Sequence, residues 1–363
     1  MLEHMNIHID PDLITEILLR LPVKSLMRFK AVCKLWRSLI SDPHFATSHF
    51  QRASPTLLFA SCDAIRTIDF EGPLHYDHVS QPINYHLVSS TPIKIAGSCR
   101  GFLLIEYNDT LYVWNPSTHV HISIPPSFPV NVVDSDTDDV FTHLYGFGYH
   151  SSKDDYLVVQ VPVPYNYATT YLPHVQFFSF RANMWKYTEG VDLPPLNSID
   201  CSHGLLFNEA IHWVARNWVD GITTYFIIAF DLMEKRLLEI PQPHDFLAHR
   251  YLTNLWVHGR YFSLSVERRD YTCEIWVMKK YKVQTSWTKT VVLSFDSVDY
   301  PVCSTKGGDI VMLSGDILKK YSDEGVVQGE QLDSQNDSSY CGFLNPSAPL
   351  YTESMLSLPD ISD

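Results

Sequence analysis

No Cys-x-x-Cys pair occurs in this chain, although it holds seven cysteines, at 33, 62, 99, 201, 273, 303 and 341. An odd number of scattered thiols argues against a disulfide framework and against a zinc site, and fits buried thiols in a reducing compartment. Long apolar runs are missing too: YFIIAF at 225–230 is among the longest, far short of the roughly 20 residues that span a bilayer. The opening MLEHMNIHIDPD lacks a basic leader followed by an apolar stretch, so no secretory signal is expected and the sequons at Asn108 and Asn336 carry no expectation of glycosylation. Positive charge is scarce, with 27 Lys and Arg against 41 Asp and Glu and a net charge of −14, which disfavours nucleic acid as a general partner. The expectation is a protein of the cytoplasm, the nucleus or both, with neither membrane nor nucleic acid as partner.

What is present is a globular chain of 363 residues, 45% hydrophobic, long enough for one large domain and a small one. Its charge is uneven. Residues 11–45 hold Arg20, Lys24, Arg28, Lys30, Lys34 and Arg37 against Asp12, Glu16 and Asp42, so this block carries +3 and the rest −17. In the same block Leu13, Ile14, Ile17, Leu18 and Leu21 recur at helical spacing, and Pro22 then interrupts the helix because the residue before a proline is pushed out of the α region. A second set, Leu26, Phe29, Val32, Cys33, Trp36, Leu39 and Ile40, is closed by Ser-Asp-Pro at 41–43. Two or three helices this short cannot bury so many apolar groups alone. On pattern alone a helical cap on the following domain and a partner-binding unit both stay open, and a DNA-reading helix pair is disfavoured.

The order of residues carries more. PDLITEILLRLPVKSLMRFKAVCKLWRSLISDPHF resembles the plant F-box motif in its leading proline, Leu21-Pro22, the Lys-Ser-Leu at 24–26, the Arg-Phe-Lys at 28–30 and the Val-Cys-Lys-x-Trp at 32–36. The resemblance implies docking on a Skp-type adaptor and, through it, on a cullin-RING ubiquitin ligase. By motif position it assigns the apolar adaptor contact to Pro11, Ile14, Ile17, Leu18, Leu21, Pro22, Leu26, Val32 and Cys33. Phe29 and Trp36 are expected to hold the helices together.

After a junction at 46–55 the period changes from 3.6 to 2 and turn residues become frequent. One unit recurs: an apolar strand, a polar turn and a second strand, often ending in Ile-Pro or Leu-Pro. With Asp69, Asn115, Arg181, Asp231, Lys279 and Ser322 as turn anchors, the steps are 46, 66, 50, 48 and 43 residues. Glycines at 101, 148, 204, 259 and 308 repeat at 47, 56, 55 and 49. Repeats of this length built from short antiparallel strands predict a β-propeller. The long step holds two polar insertions, PSFPVNVVDSDTDDV and PVPYNYATTYLPH, read as loops. The terminal PLYTESMLSL is expected to supply the strand that closes the ring beside TLLFASCDAIRTIDF, because an open ring would leave sheet edges unpaired.

SCRGFLL, WNPST, YGFGY, FFSFRANMWK, GLLFNEAIHWVA and EIWVMKKYKVQTSWTK are similar to the F-box-associated domain of plant F-box and F-box/kelch-type proteins, including the S-locus F-box group. True kelch signatures are mostly absent. The expected fold is mainly β with a small α N-terminal domain: a three-helix F-box at 1–45, the junction at 46–55, a propeller-like substrate-binding domain of six or seven blades at 56–358, and a tail at 359–363.

Several stretches imitate chemistry. GSCRG at 97–101 has the outline of a nucleophile elbow around Cys99, but FLLIEY continues as a strand where a helix is required. DSDTDD at 134–139 looks like a calcium loop, yet Asp139 stands where glycine is needed and Tyr145 where glutamate is needed. His75 with His78, and His119 with His121, lack further ligands at useful spacing, and Asp154 with Asp155 sits in a turn. No cofactor, metal or catalytic residue is expected. Tyr165, Tyr167, Tyr171 and Trp218, aromatics in loops, are the candidate contacts to a target protein. The function implied by the resemblance is a non-catalytic substrate receptor of an SCF-type ubiquitin ligase. A helix-capped propeller acting as a lectin or hydrolase, or as a non-degradative scaffold, is the alternative.

Overall fold

The computed structural model of the chain describes residues 10–60, 65–74, 81–83, 93–128, 141–164, 175–188, 198–199, 203–219, 222–244, 250–268, 272–294, 299–314, 317–322, 325–332 and 350–359. It opens with four short helices, α1 Pro11–Leu18, α2 Val23–Phe29, α3 Lys34–Ile40 and α4 Pro43–Arg52. The sequence predicts three, and the fourth has a clear origin. Ser-Asp-Pro reads as a stop, but Asp42 is a start: its carboxylate accepts the His44 N–H at 2.7 Å, and Pro43 sits at the first helical position, where a missing N–H is harmless. Asp10 and Pro11 open α1 in the same way. The helical unit therefore runs to Arg52 and takes up most of the stretch expected as junction. Arg52 binds Glu16 through Nη1 and Nη2, at 2.9 and 3.1 Å, and His49 Nε2 lies 2.8 Å from the Leu21 carbonyl, so α4 is fastened to α1 and to the turn after it.

The rest is a six-blade β-propeller. From the axis outwards, blade 1 is Leu350–Tyr351, Thr56–Ala60, Ile65–Ile68 and Gln81–Ile83. Blade 2 is Lys94–Cys99, Phe102–Tyr107, Thr110–Asn115 and Val120–Ser123, and blade 3 is Phe141–His150, Asp155–Pro164, Val175–Ser179 and Met184–Thr188. Blade 4 splits its inner edge between Ser198–Ile199 and Leu205–Phe207, followed by Ala210–Val219, Ile222–Asp231 and Arg236–Ile240. Blade 5 is Arg250–His258, Tyr261–Arg268, Thr272–Met278 and Trp287–Ser294; blade 6 is Asp299–Ser304, Ile310–Ser314, Ile317–Tyr321 and Val327–Leu332. The chain's last strand closes the first blade, Tyr351 pairing with Thr56 and Leu350 with Leu57, as the sequence predicts. All the described pairings between these strands are antiparallel, so each blade is a meander.

The repeat is visible because its turns use the same chemistry. All six turn anchors fall at the third turn of their blades, Asn115 and Asp231 as the last residue of the third strand and the other four just beyond it. There a short polar side chain closes the turn: Asp69 accepts the Glu71 N–H, Asn115 those of Ser117 and Thr118, Asp155 that of Arg181, Asp231 those of Met233 and Glu234, Ser286 that of Lys280, and Ser322 that of Val326. The recurrent Ile-Pro has a partner one blade further on. Trp185 Nε1–H donates to the Pro125 carbonyl at 2.7 Å, and Trp287 Nε1–H to that of Pro241 at 2.8 Å. Proline ends the outer strand and leaves its carbonyl free for the indole of the next blade.

Between blades the core is aliphatic and aromatic. Leu144, Val159, Ile211, Trp213, Phe226 and Phe230 fill the space between blades 3 and 4. Gly204 is required there, because a Cβ would stand 2.2 Å from Ile211 Cγ2 and 2.8 Å from the Trp213 ring. Blades 4 and 5 meet at His212, fully buried, with Nδ1 3.1 Å from the Leu205 carbonyl and Nε2 2.6 Å from the Tyr281 hydroxyl. Nδ1–H donates to the carbonyl and Nε2 accepts from the phenol, so the ring is neutral. Burial pushes its pKa down to about 4 from the ordinary 6.5. The unfolded chain therefore takes up a proton between these values that the native protein refuses, and stability present at neutral pH is lost as pH falls from 6.5 towards 4. Urea unfolding should show a loss on the order of 2 kcal/mol between pH 7 and pH 5, and His212→Gln should flatten that dependence; an unchanged slope in the variant would show that His212 does not titrate as described.

Candidate functional site

Two surfaces can carry function, and both are built from the elements above. On the helices, the nine nominated residues divide by burial. Ile17, on α1, is 52% exposed, and Val32, in the turn before α3, 60%. Pro11, Pro22 and Cys33 are also exposed, and Ile14 and Leu21 are half-buried. Leu18 and Leu26 do not belong to the surface: both are completely buried, packed with Leu19, Val23, Ile40, Phe45 and Met355. Their place in the apolar stripe is real, but it points inward, because four short helices need a core of their own. Leu13, Met27 and Leu35, which motif position does not nominate, are exposed large apolar side chains. Leu13 and Ile17 share one face of α1, four residues apart. So many large apolar groups in the open mark a partner site. Arg20, Lys24, Arg28, Lys34 and Arg37 are exposed around them, a basic rim that would speed association with an acidic partner. Phe29 and Trp36 pack in a tilted pair, 5.1 Å between centroids and 53° between planes, and join α2 to α3, as expected.

The two described cysteines near these surfaces differ sharply. Cys33 is exposed and caps α3 through its sulfur, which accepts the Trp36 N–H. Cys99 is buried at the inner strand of blade 2, and burial pushes its thiol up to about 12. Arg100 and Gly101 form a tight turn into the strand Phe102–Tyr107, so GSCRG is a blade turn rather than a nucleophile elbow. Alkylation of the native protein should label Cys33 and spare Cys99; labelling of Cys99 at a comparable rate would contradict its burial.

The propeller has two ends, and the helices occupy one of them. Arg100, in the first turn of blade 2, lies 4.0 Å over the Tyr149 ring and 5.9 Å from that of Phe50 in α4. Lys306, in the first turn of blade 6, reaches Ser54 just after α4. A four-stranded meander puts its first and third turns at one end and its second turn at the other, so in every blade the second turn lies at the end away from the helices. Trp218, expected in a loop, stands instead in the strand Ala210–Val219, paired with Thr223, because the hairpin of blade 4 continues to Val219 before it turns; its backbone is described and its side chain is not. Tyr165, Tyr167 and Tyr171 lie outside the described residues; their segment joins Pro164 to Val175, the second turn of blade 3. The described strand ends that flank these positions, Pro164, Val175 and Val219, lie at the end of the ring away from the helices. Along the axis a cavity of about 150 Å³ is lined by Ile95, Ser98, His203, Asn254, Trp256 and Leu350.

Motifs that imitate chemistry have structural roles where they are described. Asp155 is buried and holds the Ser179 hydroxyl at 2.5 Å, and Asp154 accepts from the Tyr149 hydroxyl at 2.6 Å. Among the described residues no group of three His, Cys, Asp or Glu is placed to hold a metal ion. DSDTDD and the His75–His78 pair lie outside the described residues.

Comparison with known proteins now assigns the architecture. The F-box associated beta propeller domain matches residues 60–312 and the F-box domain residues 7–47. The chain belongs to the F-box associated β-propeller family. An F-box/kelch-repeat protein of Arabidopsis thaliana is 26% identical over 292 residues, covering 77% of each chain, and F-box protein CPR1 of the same plant is 28% identical over 303 residues, covering 77% of this chain and 71% of its own. Among solved structures, dipeptidyl peptidase 4 of Porphyromonas gingivalis overlaps 79% of this chain and 55% of its own at a TM-score of 0.41 and 10% identity, a likeness too slight to carry any argument. The helical unit is thus an F-box, and an F-box with an associated propeller is the build of a substrate-recognition protein.

Proposed function

We propose that this F-box protein is the substrate receptor of an SCF-type ubiquitin ligase, holding a Skp-type adaptor with its helices and a target protein with its propeller. The observation that supports this best is the F-box match over helices that leave Leu13, Ile17, Val32 and Leu35 exposed. Docking on the adaptor joins the chain to a cullin-RING ligase, and the target, held at the free end of the ring, is brought beside a charged ubiquitin carrier. The mechanism is proximity. Tethering raises the effective concentration of a target lysine without local chemistry, so no residue of this chain need act as a nucleophile or base. The protein would work in the cytoplasm or the nucleus, where such ligases meet their targets.

Delivery differs from scaffolding in its outcome. Blocking the cullin in cells should raise the amount of target recovered on the tagged chain, because capture continues while degradation stops. Unchanged recovery of every propeller-bound protein would contradict delivery.

A further inference from the structure

Residues 352–359 have no regular structure, yet they bind both halves of the protein. Met355 is buried inside the F-box core beside Leu18, Val23, Leu26, Ile40 and Phe45. Glu353 Oε2 accepts the Val23 N–H at 3.3 Å at the start of α2, where Pro22 provides no side-chain cap. Ser354 is fully buried, and its carbonyl accepts from Asn115 Nδ2 at 3.0 Å, in the outer turn of blade 2. Leu356 and Leu358 pack against the cluster of Phe102, Phe147 and Phe178 between blades 2 and 3. The fit is close: Gly101, at φ +84°, would place a Cβ 2.0 Å from Ser354 Cβ. This strap leaves directly from Tyr351, the end of the closing strand, whose hydroxyl lies 2.7 Å from Ser117 Oγ.

We infer that the strap is a structural part of the F-box, so that the adaptor-binding helices are completed only when the last strand has closed the propeller ring. The inference rests on the F-box reading for its functional consequence and on the packing alone for its structural claim. Four helices of at most ten residues make too small a core to hold together unaided, and Met355 is the part of that core made last. A chain whose ring has not closed leaves the slot between Leu18, Leu26 and Phe45 empty and the Val23 N–H without the Glu353 carboxylate. Such a chain would present a frayed F-box, and adaptor would not be occupied by receptors unable to hold a target.

The test uses the full chain with Met355→Asp, and Met355→Leu as the variant that keeps apolar volume. Hydrogen exchange reads the helices and the ring separately, without any adaptor. Met355→Asp should speed exchange at the buried amides of α1–α3 at least tenfold while leaving blades 4 and 5, which the strap does not pack against, as in the parent, and Met355→Leu should restore protection. Adaptor affinity should fall and recover in step. Unchanged protection of α1–α3 in Met355→Asp would overturn the proposal, and so would exchange accelerated equally in blades 4 and 5, since the strap would then serve the ring and not the F-box. Failure of the parent chain to bind adaptor would sink the receptor reading and leave the exchange result standing.

Discussion

Trp213→Ala should destabilise the propeller by about 3–5 kcal/mol. Trp213 is 1% exposed, and its indole N–H donates to the Tyr145 carbonyl in blade 3 at 2.9 Å, so its ring crosses from one blade to the next. Truncation removes the apolar contacts with Ile211 and the blade 3 valines and opens a cavity that two stacked sheets cannot collapse to fill. The carbonyl keeps the Gly204 N–H as a partner at 2.8 Å, so the loss is one of packing more than of an orphaned acceptor. Thermal unfolding should shift down on the order of 10 °C. Tyr187→Ala, at a residue 59% exposed on the outer strand of blade 3, should stay within about 0.5 kcal/mol of the parent. Equal effects would mean that the blade 3–4 seam is not a packed core.

Ile17→Asp combined with Val32→Asp should weaken adaptor binding at least about 100-fold, equivalent to roughly 2.7 kcal/mol. Both side chains are more than half exposed, so the folded chain has little to lose, and its melting should stay within about 1 kcal/mol of the parent. At an apolar interface each new carboxylate would be buried without a partner. Leu18→Asp, one residue along, should behave differently. Leu18 is wholly buried, so this change should unfold the helices, and the accompanying loss of binding would say nothing about the surface. Isothermal titration with purified adaptor, paired with circular dichroism of each variant, separates the two cases.

The contrast between positions 17 and 18 also marks what the sequence could reveal. A helical stripe shows which residues are apolar, but the division into partner surface and internal core follows from how α4 and the strap close over one side. α4 was hidden behind Asp42-Pro43, a pair that begins a helix as readily as it ends one. The propeller was far more legible, because its third turns, at Asp69, Asn115, Arg181, Asp231, Lys279 and Ser322, recur at the blade period, and the Ile-Pro carbonyls serve Trp185 and Trp287 one blade on. The strap was not legible as a strap. Residues 352–359 follow no period, and their burial depends on Asn115, Gly101 and Val23, each more than 200 positions away in the chain. On the target side, Trp218 stands in a strand rather than a loop, Tyr165, Tyr167 and Tyr171 lie outside the described residues, and topology adds that the flanking strand ends share the face away from the F-box.

On the proposed reading this chain binds a Skp-type adaptor through the exposed apolar side chains of its helices. Titration calorimetry of the purified full chain with purified adaptor is the direct test. A one-to-one complex is expected, weakened at least about 100-fold by Ile17→Asp with Val32→Asp while the variant keeps its helical circular dichroism. Absence of binding by the intact, folded chain, or equal binding by the doubly substituted one, would contradict it.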